Sequence, residues 1–495
     1  MNASRKWLLL IGSVALLYTV NLGNRGLNEP DEGRYAAMSL EMMEPAHDVL
    51  EPRMSDFGHF DKPPLIYWIT AISMSVFGVN EWGARTAPFL GAMMTLFGLG
   101  WTAWRLYGER AAWWSVLFGA TTVQLAVLGR FLCPDMLLTG CCTMAVGAWA
   151  EARHRNASLA WWMAAVVFWA LAWWTKATAA LIPLLGLTIG LRMTKDTPGL
   201  KALRPLSTLL AILVLGSPWY VLMMTRHPEL VDFFFGREVI GRVVGHPDGR
   251  QQPFFFHVLA SPAVWFPWWP ALLAVAWFQR QEIIGIIRTK TFARVPWEAW
   301  MILTGFAVFS AISSKLLTYT LPYAPWMALL AARAFCHGWV PERLRATPRR
   351  LGQLGAATAV LMLTAGFVVP HFETRLGVGS SVREVARVLR EHGAKEVIAD
   401  RYMQGLEFYF GEEVSYLVRA VPQQLKSDTG ECESRHESHF TTFDQWKTCG
   451  PRHHGTNCWF IQFKERASSP VAQYLKTHPS PVQLHVGVYT LTKLE

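Results

Sequence analysis

Long apolar runs, almost free of charge, recur along this sequence as far as residue 370. They cover residues 7–22, 86–104, 111–128, 136–150, 159–174, 177–191, 206–224, 258–278, 297–313, 316–332 and 351–370. A helix crossing a bilayer needs about 20 mostly apolar residues, so the pattern reads as roughly eleven transmembrane helices. The first run follows Arg5-Lys6 and looks like a signal peptide. No small-residue cleavage site follows it, so it reads as an uncleaved membrane helix.

Composition agrees. Of 495 residues 52% are hydrophobic and only 17% charged, with 24 Trp and 28 Phe and a mean hydropathy of +0.20. A soluble enzyme of ordinary composition is excluded, and so is extensive disorder. The net charge of +10 would suggest nucleic acid in a soluble chain, but its placement points elsewhere.

With eleven crossings, residues 1–6, 105–110, 151–156, 192–204, 279–296 and 333–350 lie on one side. They carry 19 Lys/Arg and 5 Asp/Glu. Residues 24–64, on the other side, carry 4 Lys/Arg and 9 Asp/Glu. By the positive-inside rule the basic set is cytoplasmic, and no nucleic-acid partner is needed to explain the charge. The run Leu65 to Phe77 is too short to cross and reads as an interfacial helix starting at Pro63-Pro64. Counting it as a crossing would invert every later loop and spoil the asymmetry.

The same parity places residues 371–495 outside. Candidate strands at Glu396 to Ala399, Trp459 to Phe463 and Val486 to Leu491, with a helical pattern from Val382 to His392, predict a small α/β domain. The polar stretch Lys426 to Pro451 reads as loop. Cys432, Cys449 and Cys458 allow one disulfide there and leave one cysteine over. The chain thus divides into a membrane domain, 1–370, whose first outer loop is 24–84, and an outer domain, 371–495. No nucleotide-binding glycine motif or internal repeat stands out.

The first outer loop holds the densest chemistry. NEPDEGRYAAMSLEMM, from Asn28, predicts a helix start at Asp31 as the cap, with the helix ending before Pro45 and Arg34 close enough to pair. A cap and its partner could account for both residues. Asp61-Lys62, ahead of the prolines, equally suits a snorkelling anchor. Asp135 in GRFLCPDML, Lys176 beside Trp173-Trp174-Thr175 and Lys315 in SSKLLTYTLPYAP fall at the outer ends of their hairpins. Ions at the membrane edge are costly and mark functional sites by default. Cations at lipid depth beside carboxylates would suit a lipid-linked phosphate and the group that attacks its sugar.

The segments DEGRYA at Asp31, FDKPPLIYW at Phe60, FGVNEWGAR at Phe77 and SKLLTYTLPYAP at Ser314 resemble the GT-C glycosyltransferases of the protein O-mannosyltransferase and 4-amino-4-deoxy-L-arabinose lipid A transferase superfamily. The resemblance runs from about Trp7 to Pro370, and the tail resembles the aminoarabinose branch less specifically. It implies an α-helical polytopic membrane protein of GT-C fold that uses a polyprenyl-phosphate sugar and inverts the anomeric centre. Carried onto this chain, Asp31 matches the catalytic acid and Asp135 the second loop acid. Arg34, Tyr35, Lys62, Lys315 and Tyr319 fall where residues contact the donor phosphate or order the loop. Lys176 matches the lysine of a Lys-Gly element in which Ala177 replaces the glycine. Asp61 stands where the aminoarabinose branch has a metal-binding Glu. That implies a divalent cation with His257 as its available partner, and no nucleotide.

The expectation is therefore a multi-pass glycosyltransferase of the bacterial inner membrane with a periplasmic site. The acceptor is lipid A in one reading and a protein or glycan hydroxyl in another. A lipid or sugar transporter is the remaining alternative, because ions within the membrane also mark transport pathways.

Overall fold

A computed structural model of the chain describes residues 3–45, 47–55, 57–241, 251–341, 348–376, 381–399, 402–411, 413–417, 440–441, 457–463, 477, 480 and 482–494. They form two compact units that are not consecutive in sequence. One comprises residues 1–20, 86–226 and 231–364; the other comprises 21–85, 227–230 and 365–495. Contacts thus group the first outer loop with the tail, whereas composition alone draws the boundary at residue 370.

The first unit is helical. Pro134–His154 packs along Leu159–Met193, which in turn packs on Trp297–Ala311, and Ala324–Cys336 lies against Glu109–Ala120. Small residues set the closest approaches, as in membrane helix pairs generally. A Cβ on Gly140 would stand 2.5 Å from the Gly91 carbonyl oxygen of helix Glu81–Tyr107. Leu159–Met193 is broken at Lys176, whose φ of −161° and ψ of 87° are not helical. The apolar runs at 159–174 and 177–191 are thus separate arms, as the sequence suggests.

Among the described residues, Leu159–Met193 and Thr197–Arg226 are long and apolar enough to cross a membrane. The pair Phe256–Val264 and Trp269–Phe278, bent by 114°, makes a third candidate if it counts as one span. Several other runs are subdivided. Residues 111–128 fall into Glu109–Ala120 and Val123–Leu128, and 316–332 opens with a 3-10 turn, Leu317–Tyr323, before its helix.

In the second unit Asp31–Glu41 is helical and ends ahead of Pro45 as expected, but Asp31 does not cap it. Pro30 holds the cap position, no side chain bonds there, and Asp31 is the first helical residue. Proline's fixed φ suits the entry to a helix, which moves the start back by one position. Leu65–Phe77 begins directly after Pro64, and Arg53–Met54 pairs antiparallel with Phe57–Gly58.

The tail forms a six-stranded sheet in the order 440–441, 413–417, 396–399, 458–463, 489–494, 483–486. Its first four strands run parallel and the last two pair antiparallel. Helix Ser381–Glu391 and strands Glu396–Ala399 and Cys458–Phe463 match the predicted pattern. The third predicted strand does not. Val486 ends one strand and Tyr489 begins the next, with Gly487 at φ 57° turning the chain between them. The alternation of apolar residues continues through the turn, so periodicity alone cannot see it. Most of Lys426 to Pro451, including Cys432 and Cys449, lies outside the described residues.

Candidate active site

The second unit gathers Asp31, Arg34, Tyr35, Asp61 and Lys62. Arg34 Nη2 lies 2.6 Å from Asp31 Oδ1, because residues three apart share a helix face. Its guanidinium also sits 5.5 Å from the centre of the Tyr35 ring, which stacks on Tyr67 at 5.7 Å. Burial works against the Arg34 charge. Tyr35 and the carboxylates of Asp61 and Asp31 outweigh it and raise the pKa, so the arginine stays cationic. Burial pushes the Tyr35 phenol well above its usual range, so it enters the site protonated. Lys62 is buried and turns back on its neighbour, its ammonium 2.8 Å from Asp61 Oδ1 and donating to the Asp61 carbonyl at 2.8 Å. Asp31 remains 48% exposed, with room for a reactant at the carboxylate.

Sequence reasoning missed the clamp beneath this cluster. Glu32, next to Asp31, is fully buried and receives Arg85 Nε at 2.8 Å and Nη2 at 3.0 Å. The same guanidinium donates to the carbonyls of Leu22, Arg25 and Gly26, and Arg25 Nη2 lies 2.7 Å from Glu32. Burial of a charge requires this degree of pairing. The available signal was Arg85 itself, a lone cation opening the apolar run 86–104.

The first unit gathers the other candidates. Asp135 occupies the first turn of Pro134–His154, where the positive helix end favours a carboxylate. Lys176 Nζ donates to Asp135 Oδ1 at 2.8 Å and lies 4.8 Å from the centre of the Tyr319 ring. The helix break at Lys176 interrupts the backbone there, so the position depends on conformation even though Ala177 stands where the family has glycine. Gln124 donates to the Leu317 carbonyl at 2.9 Å and fixes the turn that carries Tyr319. Lys315, in the turn ahead of it, is buried and donates to the Gln252 carbonyl at 3.0 Å and to the Ile312 carbonyl. Burial holds its ammonium below the usual lysine range.

His257 is fully buried in this unit, and neither ring nitrogen has a hydrogen-bond partner among the described residues. Asp61 belongs to the other unit and is engaged by Lys62. Among the described residues no three His, Cys, Asp or Glu side chains gather as a metal-ligand set. Two candidates fall short of a three-ligand site, and no step below passes through a metal ion.

Residues 61–222 match the family of dolichyl-phosphate-mannose-protein mannosyltransferases. Undecaprenyl phosphate-alpha-4-amino-4-deoxy-L-arabinose arabinosyl transferase of Pectobacterium atrosepticum is 29% identical over 72% of this chain and 65% of its own length. The enzyme of that name from Pseudomonas aeruginosa is 29% identical over 74% and 66%. In structure, ArnT from Cupriavidus metallidurans bound to undecaprenyl phosphate superposes with a TM-score of 0.77 at 20% identity, over 99% of this chain and 98% of that one. The chain therefore has the fold of that structure over nearly its whole length. It spans about two-thirds of the length of the curated relatives it matches, 65% for the Pectobacterium protein. Archaeal oligosaccharyltransferase AglB from Archaeoglobus fulgidus, at a TM-score of 0.51 and 14% identity over 95% of this chain and 70% of its own, shares the fold more loosely.

Proposed function

We propose that this GT-C protein moves a sugar from a polyprenyl-phosphate donor to a cell-envelope acceptor, with lipid A as the acceptor and the site on the periplasmic face of the bacterial inner membrane. The names of the curated relatives, which specify undecaprenyl phosphate and aminoarabinose, support donor and sugar class. Eleven crossings, inferred from the apolar runs and the charge asymmetry, support the orientation. The observation that carries the reading is Lys176. A break in an apolar helix sets its ammonium against Asp135 and over Tyr319, and the charge asymmetry of the loops supports a position at the membrane edge, the depth a lipid carrier's phosphate requires.

In the reaction an acceptor oxygen attacks the anomeric carbon from the face opposite the phosphate. The bond from that carbon to the phosphate oxygen breaks, and the lipid phosphate leaves with the electron pair. Cations stabilise the charge that builds on the leaving group. Within the first unit we assign this to Lys176 and Lys315, with Tyr319 ordering the turn that follows Lys315; within the second, Arg34 and Lys62 are proposed as phosphate contacts, with Tyr35 ordering their loop. Asp31 orients an acceptor phosphate, which is already ionised, or takes the proton of an acceptor hydroxyl. Asp135 keeps Lys176 in place.

The match of residues 61–222 to protein mannosyltransferases favours one second reading, transfer to a protein or glycan hydroxyl. Single-turnover sugar transfer by the purified protein tests the enzymatic reading against a transporter, which would move label across vesicles without transferring it. Mass spectrometry of lipid A and of total glycoprotein from a deletion strain separates the two acceptors. Loss of sugar from glycoprotein with unchanged lipid A would overturn the lipid A assignment.

A further inference from the structure

The end of the first unit away from Asp135 contains a cavity of about 330 Å³ walled by Tyr107, Arg153, Asp196, Arg294, Trp297 and Arg333, among others. That volume is at the lower end of those that hold small ligands. Arg153 lies 18 residues along helix Pro134–His154 from Asp135, which at 1.5 Å per residue is about 27 Å. The cavity is therefore separate from the candidate active site and near the opposite membrane surface.

Its wall is preformed. Glu298 is fully buried, accepting from the Tyr107 hydroxyl at 2.5 Å and from Arg333 Nη1 at 3.0 Å, and Trp297 Nε1 donates to the Tyr107 oxygen at 2.8 Å. Arg153 uses Nε and Nη2 on Asp196, and Arg294 uses Nη1 on Glu282. Each of the three arginines keeps further N–H groups with no acceptor among the described residues. The cavity lining has three guanidinium groups and one carboxylate. The same basic sequence segments carry further arginine–indole pairs. Arg105 lies over Trp104, Arg155 over Trp161, Arg204 over Trp162 and Arg280 over Trp277, at 4.6 to 5.8 Å. Arginine heads resting on indoles suit the boundary between lipid and water. All of these arginines belong to the basic, cytoplasmic loop set.

We propose that this cavity binds a phosphate group, that of an anionic phospholipid head group from the inner leaflet. Basic pockets between helices on the cytoplasmic side bind such head groups, and a guanidinium fork matches phosphate oxygens better than an ammonium does.

The test uses the full chain, purified in detergent, with phosphatidylglycerol, phosphatidylcholine or inorganic pyrophosphate, and native mass spectrometry to count retained molecules. The wild type is expected to retain phosphatidylglycerol over phosphatidylcholine. Arg153→Gln with Arg294→Gln should lower that retention by about fivefold per arginine, roughly 30-fold together. Both residues are partly exposed, and an unchanged Tm without lipid confirms that the variant folds. Pyrophosphate failing to displace the lipid supports a head-group site. Pyrophosphate retained in preference to phosphatidylglycerol, and lost in the variant, would overturn the lipid source and leave a soluble phosphate ligand. Equal retention of the two lipids, or retention unchanged in the variant, overturns the proposal. Arg333 is left intact because its removal would strand Glu298.

Discussion

Gly33 and Gly405 pack backbone against backbone: a Cβ on Gly33 would stand 2.7 Å from the Gly405 nitrogen and 2.4 Å from Glu29 Oε1. Gly405 donates its N–H to that same Glu29 oxygen at 2.6 Å. A turn away, the Tyr409 hydroxyl accepts from the Leu27 N–H at 2.7 Å and bonds Glu81 at 3.0 Å. The tail helix Gln404–Phe410 thus fastens the turn that precedes Asp31. Gly33→Ala should displace that turn and cost about 1–3 kcal/mol, the usual range for overpacking. The expected outcome is a lower Tm together with a fall in sugar transfer. Unchanged values in Gly33→Ala would show that the tail does not hold the loop.

Removing one partner of a buried charge pair strands the other. Arg85→Ala takes from the buried Glu32 the two guanidinium bonds it receives, and should cost about 3–5 kcal/mol. Arg85→Lys restores charge without the fork that reaches Glu32 and three carbonyls together, so it should recover only part of the loss. Thermal unfolding of the two variants measures both, and full recovery by lysine would contradict the clamp.

Asp31→Asn removes a charge and little volume. Transfer should fall by about 100-fold or more if Asp31 positions or deprotonates the acceptor, while Tm and donor binding change little. A variant turning over near the wild-type rate would leave Asp31 as no more than the partner of Arg34.

Lys62 distinguishes phosphate binding from anchoring. Lys62→Ala should raise the donor concentration needed for half-maximal rate, with Lys62→Arg rescuing partly, since a planar fork replaces a compact ammonium. Initial rates against donor concentration, normalised to folded protein, decide this. An unchanged donor dependence would confine Lys62 to its pairing with Asp61.

Burial lowers the Lys315 pKa, so its charged form is lost at a lower pH than for a free lysine. If Lys315 stabilises the leaving phosphate as proposed, that contribution is present below its pKa and is lost as pH rises through it. The alkaline limb of kcat/KM, which reports the free enzyme, should therefore lie below the ordinary lysine range. Lys315→Arg should move the limb upward, because arginine stays protonated. Identical profiles for lysine and arginine would remove Lys315 from the reaction.

How far the sequence could be read depends on whether a signal is local. A run such as 206–224, inside Thr197–Arg226, needs no partner to mark a helix long and apolar enough to cross a membrane, since transfer of apolar side chains from water is a property of the segment itself. The pairing of Asp31 with Arg34 was legible for the same reason, because helix geometry brings residues three apart together. Asp135 and Lys176 could each be flagged as ions at the membrane edge, but 41 residues separate them. Their contact needed the packing of two helices and the break at Lys176.

The sequence by itself determined the apolar, helical class and the α/β character of the tail, both of which follow from composition and periodicity within short windows. Tertiary structure alone decided that Glu32 meets Arg85, that Gly33 meets Gly405 and that three arginines from distant segments wall one cavity. Those contacts are favourable only once remote segments have been brought together and water removed, and no local pattern encodes that step.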